Sequence, residues 1–446
     1  MSFEFSPVKL VYGGEALGFH AGHTVLSSRV LPGERAEVEE VRRQKRVIHA
    51  RPLRILEPSL DRIEAPCPYF GRCGGCQYQH LPHSAQVTAK IEILHETLRR
   101  LGQVQWEQPI PAHTAAAWNY RNQAQLKMGK TPDGASALGF FEAESKRLVA
   151  IDACPILSPR LNALLAVLQT EPWINELGSS GEVELLADDG DEKVMVTLAA
   201  KGGVLGAEPL AHRCLAELAG VTTVAIATSG AVRPYTVFGE PYLTYRVGQF
   251  AYRVSPGAFF QSSRFLLPEL VAAVVAPGVS PASAALGDGA ALAAEAGDVA
   301  IDLYAGVGLF TLPLSKRFNR VIAVEAHPQA AADLAANAPT VPGNKIRSIS
   351  GTAFDFLRRC AQRDADLVVM DPPRAGVGAA DLRLLLNLRP KRLHYVSCSP
   401  PTLARDLGFL LKHGYRLDSL ELFDCFPQTY HIESLARLSR IGGENA

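Results

Sequence analysis

The chain reads as an α/β protein whose C-terminal part is a doubly wound, mostly parallel sheet, preceded by a small β-barrel and an α+β middle region. Three observations predict this. Residues 299–440 alternate apolar strand patterns with helical ones: VAIDLYAG, RVIAVEAH, DLVVMDPP and RLHYVSCS, each followed by a helix. Such alternation produces a parallel sheet with helices on both faces. Residues 1–60 instead carry short strands between Gly-rich turns, and a tight group of cysteines separates the two regions.

In the N-terminal region the strands are expected at Val8–Tyr12, His23–Val30, Arg35–Val41 and Val47–Ile55, divided by Gly13-Gly14, Gly18, Gly22 and Pro32-Gly33. Short strands with such turns make small barrels. Arg42, Arg43, Lys45, Arg46, Arg51 and Arg54 crowd this region, partly offset by Glu34, Glu37, Glu39 and Glu40. Both a solvated strand pair and a grip on a phosphate backbone fit that pattern. A helix is expected over 84–101, with Val87, Ile91, Leu94 and Leu98 as its apolar stripe. The divisions expected are 1–60, 61–250 and 251–446.

Bulk properties narrow the class. A length of 446 residues suggests roughly two to four domains. With 47% hydrophobic and 20% charged residues the chain is a folded one. Its formal net charge is zero, so a nucleic-acid partner would be held by local basic patches. The N-terminus MSFEFSPVKL does not read as a signal peptide. The Ala-rich stretch Val271–Gly297 is broken by Pro277, Pro281, Asp288 and Glu295, which suits a helix followed by a surface insertion over 278–297 and not a membrane span. A cytoplasmic chain with no membrane association is expected, and no protein partner is implied.

The strand ending at Asp302 runs into Tyr304-Ala305-Gly306-Val307-Gly308, and the next ends at Glu325. Glycines allow a sharp turn and close approach to a ligand, and an acidic group at the second strand's end can accept hydrogen bonds from ribose hydroxyls. A dinucleotide fingerprint needs a third glycine where Thr311 stands, so the turn favours S-adenosylmethionine over a nicotinamide cofactor. The next motif is Asp371-Pro372-Pro373-Arg374. Amino-group methyltransferases follow the two prolines with a base-stacking aromatic residue, and Arg374 does not serve in that way.

The last parallel strand delivers Ser397-Cys398-Ser399-Pro400-Pro401, which sets a thiol at the sheet edge where ligands bind. Carbon 5 of uracil is too poor a nucleophile to attack a methyl donor until a thiolate has added to carbon 6. Covalent catalysis by Cys398 followed by removal of the carbon-5 proton solves that problem. Cytosine-5 RNA methyltransferases add a second cysteine beside the prolines. Asp371-Pro372-Pro373-Arg374 has none, which favours uracil. Glu433 is the base candidate, with His431 as its nearest competitor. Cys214, Cys360 and Cys425 are read as structural. Cys67, Cys73 and Cys76, spaced C-x5-C-x2-C among glycines, with the distant Cys154, can hold a [4Fe–4S] cluster or a zinc ion, or remain free thiols.

Together, in this order, these motifs resemble the RNA uracil-5 methyltransferases over nearly the whole chain. The resemblance implies a Rossmann-like methyltransferase domain. It likens Val11-Tyr12-Gly13-Gly14-Glu15 and Leu31-Pro32-Gly33-Glu34 to an OB-like TRAM barrel that binds RNA. It makes Cys67, Cys73, Cys76 and Cys154 ligands of a [4Fe–4S] cluster. Gln261 (in Phe259-Phe260-Gln261), Tyr304, Glu325 and Asp371 become donor contacts, Cys398 the nucleophile and Glu433 the proton acceptor. Tyr304-Ala305 departs from the family's frequent Phe-Cys, Ser399 from its Asn, and Leu309 from an Asn after the turn. A cluster together with a TRAM barrel resembles the enzymes of 23S ribosomal RNA; relatives act on the T-loop of transfer RNA. Trp118, Tyr120 and Arg121 are candidates to hold the displaced strand, with core packing the alternative for the two aromatics. A non-catalytic RNA-binding protein and a nicotinamide oxidoreductase are the rival readings, opposed by the Cys398–Glu433 pair and by Thr311 respectively.

Overall fold

In the computed structural model residues 2–442 are described, apart from 132, 171–172, 178–179, 201–205, 228–234 and 277–296. The expected insertion over 278–297 lies almost wholly outside the described residues. Three large sheets organise the chain.

The first holds six strands over residues 2–57 in the spatial order Ser2–Phe5, Arg35–Gln44, Val47–Glu57, His23–Ser28, Glu15–His20, Pro7–Val11. It wraps around Phe5, Val25, Val30, Ala36, Val38, Ile48 and Ala50. Two of its strands, Ser2–Phe5 and Glu15–His20, were not expected from the sequence. Gly18 reads as a break, yet it sits inside the second of them because the backbone passes there: a Cβ at Gly18 would stand 2.6 Å from the Phe5 ring and 2.8 Å from the Ser6 carbonyl oxygen. The charge balance seen in the sequence is literal, since Arg43, Arg51 and Arg54 pair with Glu40, Glu39 and Glu37.

The second sheet holds seven strands between Gln123 and Gly239, antiparallel except where Val194–Ala200 runs beside Val221–Ala227. Helices Pro159–Leu168 and Ala207–Glu217 contribute Leu161, Leu164, Leu165, Leu168, Leu210 and Ala211 to its core. Ser158 starts the first of these helices by accepting from the Leu161 amide, with Pro159 following it.

The third sheet carries the chemistry. Its order is Ile346–Ser350, Phe318–Glu325, Gly297–Leu303, Leu367–Met370, Arg392–Ser397, Glu433–Arg440, Tyr415–Phe423, Ala112–His113. The first five are parallel, and the 415–440 hairpin joins them antiparallel. The order reverses between Gly297–Leu303 and Leu367–Met370, which opens a crevice at their C-terminal ends. Ile346–Ser350 is a strand the alternating pattern did not reveal. It is an edge strand of sequence IRSIS, none of it fully buried, so its composition never had to become apolar.

Within the interval 61–250 the second sheet has its own core, but the flanking parts pack elsewhere. Tyr78, Leu81, Ile93, Leu94 and Leu98 pack into the third sheet's core, as do Leu10, Ala16 and Leu31 of the first sheet. The hairpin Leu243–Val247 and Phe250–Val254 joins the core on the sheet's other face, together with helix Leu267–Val275. The expected helix over 84–101 runs as an α-helix from His83 to Thr97 and finishes in a wider π turn, Leu98–Gly102. That turn lies against helix Pro400–Lys412 so closely that a Cβ on Gly102 would stand 2.3 Å from the Ala404 carbonyl oxygen.

Candidate active site

The crevice floor is the turn after Leu303. Tyr304 takes a left-handed backbone (φ 62°), as does Gly306 (φ 55°). A non-glycine residue in that region is uncommon and costs strain that the surrounding structure must offset. Glu325 ties the turn down: one carboxylate oxygen accepts from the Gly306 amide at 2.8 Å, and the other accepts from the His327 amide at 2.6 Å. Beneath it Asp302 is wholly buried. Its one hydrogen-bonded oxygen accepts from the Thr311 hydroxyl at 2.5 Å. Burial pushes the Asp302 carboxyl up to about 7, against the pull of Thr311. Thr311, which stands where a dinucleotide turn would carry its third glycine, supports the first strand's carboxylate. The Tyr304 hydroxyl approaches Asp381 at 3.4 Å.

Asp371 follows strand Leu367–Met370 and accepts a hydrogen bond from the Gln261 amide at 3.2 Å. Phe260 anchors that glutamine segment in the core, its ring centroid 4.6 Å from that of Tyr245, and leaves Phe259 exposed beside it.

Cys398 and Glu433 are brought together by strand register. Ser397 pairs with Ser434 across the antiparallel ladder, so the residues one step beyond, Cys398 and Glu433, leave the sheet side by side. The Ser434 hydroxyl also donates to the Ser397 carbonyl. Glu433 is buried, with one carboxyl oxygen lacking any partner. Burial raises its pKa well above the usual range, and the nearby Asp371 raises it further. Asp371 itself is raised by burial. The Cys398 thiol is pushed up to about 11 by burial and then by the charges of Glu433 and Asp371, while the Arg374 guanidinium works the other way. Arg374 lies 3.4 Å from the His431 ring nitrogens, and desolvation first, then Arg374, depresses His431 to about 4. His431 is therefore uncharged near neutrality and half-exposed at the rim. The Tyr12 hydroxyl of the first sheet reaches the Cys398 carbonyl at 3.4 Å. Neither Arg374 nor Tyr12 carries a sequence signal for these contacts.

Cys67, Cys73, Cys76 and Cys154 all line one cavity of about 190 Å³, together with Tyr69, Phe70 and Arg121. Burial raises Cys73, Cys76 (to about 12) and Cys154 (to about 11), and neighbouring thiols of the group add to each. Among the described residues no three His, Cys, Asp or Glu side chains converge tightly enough to hold a single metal ion. Of the two roles open to Tyr120, the structure favours core packing: it is buried, its hydroxyl donating to the Pro427 carbonyl at 3.0 Å. Trp118 is half-buried.

The reversed sheet order, the left-handed glycine turn and the acidic crevice are those of a Rossmann-like domain with a ligand crevice at its switch point, the class to which S-adenosylmethionine-dependent methyltransferases belong. A family model described as tRNA (uracil-5-)-methyltransferase matches residues 286–441. An Aquifex aeolicus protein described as an uncharacterized RNA methyltransferase is 33% identical, over 96% of each chain. The 23S rRNA (uracil(1939)-C(5))-methyltransferase RlmD of Alkalilimnicola ehrlichii is 32% identical, over 98% of this chain and 96% of that one. The Pyrococcus abyssi tRNA (uracil-54, C5)-methyltransferase, solved with S-adenosyl-L-homocysteine, shares the fold with a TM-score of 0.70 at 23% identity, covering 98% of this chain and 100% of that one. The chain belongs to the RNA uracil-5 methyltransferases. It is an enzyme of that family. No described helix is long and apolar enough to cross a membrane.

Proposed function

We propose that the enzyme methylates carbon 5 of a uridine in 23S ribosomal RNA, with Cys398 as nucleophile and Glu433 as proton acceptor. The observation that carries this reading is the side-by-side exit of those two residues from paired strands, beside the Asp371 crevice. The Cys398 thiolate adds to carbon 6 of the base. Carbon 5, now electron-rich, takes the methyl group as the methyl–sulfonium bond breaks, which leaves S-adenosylhomocysteine. Glu433 removes the carbon-5 proton, and the returning electron pair expels the thiolate. Gln261, Tyr304, Glu325 and Asp371 form the donor site. The ribosomal substrate is favoured by RlmD relatives matching almost end to end. Transfer RNA is the second reading, favoured by the family model.

The first sheet acts as a TRAM-type RNA clamp in this reading. Arg42, Lys45 and Arg46 cluster at the exposed turn joining Arg35–Gln44 to Val47–Glu57, without ion-pair partners among the described residues. The divisions 1–60, 61–250 and 251–446 are then divisions of labour across shared cores.

The test is RNA carrying 5-fluorouridine. Fluorine cannot leave as a proton, so protein, donor and RNA should accumulate as a covalent adduct stable to denaturant. A wild-type enzyme that forms none, on ribosomal or transfer RNA, would remove the mechanism.

The four thiols suit a [4Fe–4S] cluster better than zinc. All four line one cavity of about 190 Å³ together with Tyr69, Phe70 and Gly75, which leaves room for a centre bulkier than a single zinc ion. Cys67, Cys73, Cys76 and Cys154 would be its ligands, and it would cross-link their segments; the methyl transfer contains no redox step. Anaerobically purified protein should be brown, with iron and acid-labile sulfide; colourless protein with stoichiometric zinc would refute the assignment.

Donor binding should depend on pH. Asp371 and Glu433 have raised pKa values, so each is protonated at a higher pH than an ordinary carboxyl. The sulfonium is a cation and binds better to their ionised forms. Affinity for S-adenosylmethionine should therefore weaken as pH falls through the raised pKa values, while the neutral S-adenosylhomocysteine stays nearly level. Calorimetry between pH 6 and pH 8 reads the ratio, and parallel profiles for the two would contradict the electrostatic account.

A further inference from the structure

Glu433 opens its strand directly after the connection 424–432, which returns from strand Tyr415–Phe423. A loop of that length is ordinarily mobile, and a base must stand within hydrogen-bond reach of its proton. Here the connection is gripped along its length from elements far away in sequence.

Helix His83–Thr97 supplies most of the grip. Its fully buried Lys90 donates to Asp424 at 2.6 Å and to the Phe426 carbonyl at 2.9 Å. The His83 ring stands 2.7 Å from the other Asp424 oxygen. Gln86, also fully buried, accepts from the Gln428 amide at 2.8 Å and donates to the Gln428 side chain at 3.0 Å. The cysteine segments add to it. The amides of Gln77 and Tyr78, just after Cys76, both donate to the Gln428 carbonyl at 3.0 Å. Tyr120, which donates to Pro427, belongs to a stretch whose neighbours Asn119 and Arg121 bond the backbone at Pro155 and Ile156, just after Cys154. Gln428 is held with φ at 69°, a backbone that persists for such a residue only when its surroundings impose it.

A helix that only packed against a sheet would bury its apolar residues. This one buries Ile93 and Leu94 against the sheet, but it also buries Gln86 and Lys90 completely while Val87 and Ile91 stay only half-buried. Burying an amide and an ion pair brings little net stability over apolar replacements, so the arrangement fixes geometry. We propose that Lys90 and Gln86 are positioning residues for the proton-abstraction step, holding 424–432 so that Glu433 stands at carbon 5 of the base bound to Cys398. The inference rests on the roles of Cys398 and Glu433 given above.

The test uses Lys90→Met and Gln86→Met in the full-length protein. A reacting group displaced by about 1 Å loses roughly 10²-fold in rate, so Lys90→Met should lower kcat by about that factor with KM for donor and RNA nearly unchanged. With ordinary uridine RNA and label in the donor methyl group, the variant should accumulate a denaturant-stable, methylated enzyme–RNA adduct. With 5-fluorouridine RNA, which stops before proton abstraction, it should form adduct at the wild-type rate. Wild-type kcat in folded Lys90→Met, or a fall in kcat with no methylated adduct, would overturn the proposal. Should Lys90→Met not fold, Gln86→Met carries the same readouts; failure of both to fold would mark the network as structural only and also overturn it. Absence of the fluorinated adduct in the wild type would instead remove the mechanism on which the inference rests.

Discussion

Cys398→Ala is expected to abolish methyl transfer, lowering turnover by at least about 10⁴-fold, or roughly 5.4 kcal/mol of barrier. No side chain next to it can replace the thiol. Ser397 and Ser399 are buried, and both hydroxyls lack the nucleophilicity of a thiolate. Cys425 is buried in the 424–432 connection and stays protonated well above the ordinary range. The substitution should leave the donor site untouched, since Gln261, Asp371 and Glu325 take their hydrogen bonds from one another and from the backbone, none through Cys398. Donor affinity by calorimetry should therefore match the wild type while the 5-fluorouridine adduct disappears. An adduct that persists in Cys398→Ala would move the nucleophile elsewhere; lost donor affinity would show that the thiol instead holds the pocket together.

That outcome follows from what local sequence can reveal. The place of Cys398 was legible because the carboxyl end of a parallel strand lies at the edge where the crevice forms. The glycine turn, Glu325 and Asp371 were legible for the same reason. Glu433 was legible only by resemblance, because what brings it beside Cys398 is the pairing of Ser397 with Ser434, and no local pattern encodes a register between distant strands. The same limit applies to Lys90 and Asp424. Periodicity presents Lys90 as a solvated position next to an apolar stripe, yet its partner stands 334 residues away in the chain. Tyr120 was ambiguous because an aromatic residue beside an arginine suits both a base stack and a core. Its hydroxyl's bond to Pro427 decides for the core. The edge strand Ile346–Ser350 was hidden because an edge need not be apolar. Local chemistry was readable at strand ends, and long-range polar pairing was not.

Glu433→Gln separates the two halves of the mechanism. The amide fills the same volume but cannot accept the carbon-5 proton, so addition of Cys398 and methyl transfer should proceed while release fails. Turnover should fall by roughly 10²- to 10⁴-fold, and a methylated, covalent enzyme–RNA complex should build up on ordinary uridine, with one labelled methyl group per enzyme. The fold should tolerate the change. Glu433 is buried, one of its oxygens has no partner, and Asp371 disfavours its charge. Removing an ionisable group from that position lifts a desolvation cost, so thermal stability should hold or rise. The same change removes a charge that raises the Cys398 pKa, so alkylation of the free thiol should move toward lower pH. Rapid release of methylated RNA by Glu433→Gln would transfer the base role to another group. His431 is the nearest alternative; its depressed pKa leaves it neutral, though a weaker base than an ordinary imidazole. His431→Ala in the Glu433→Gln background would then decide between a misassigned base and two groups that share the step.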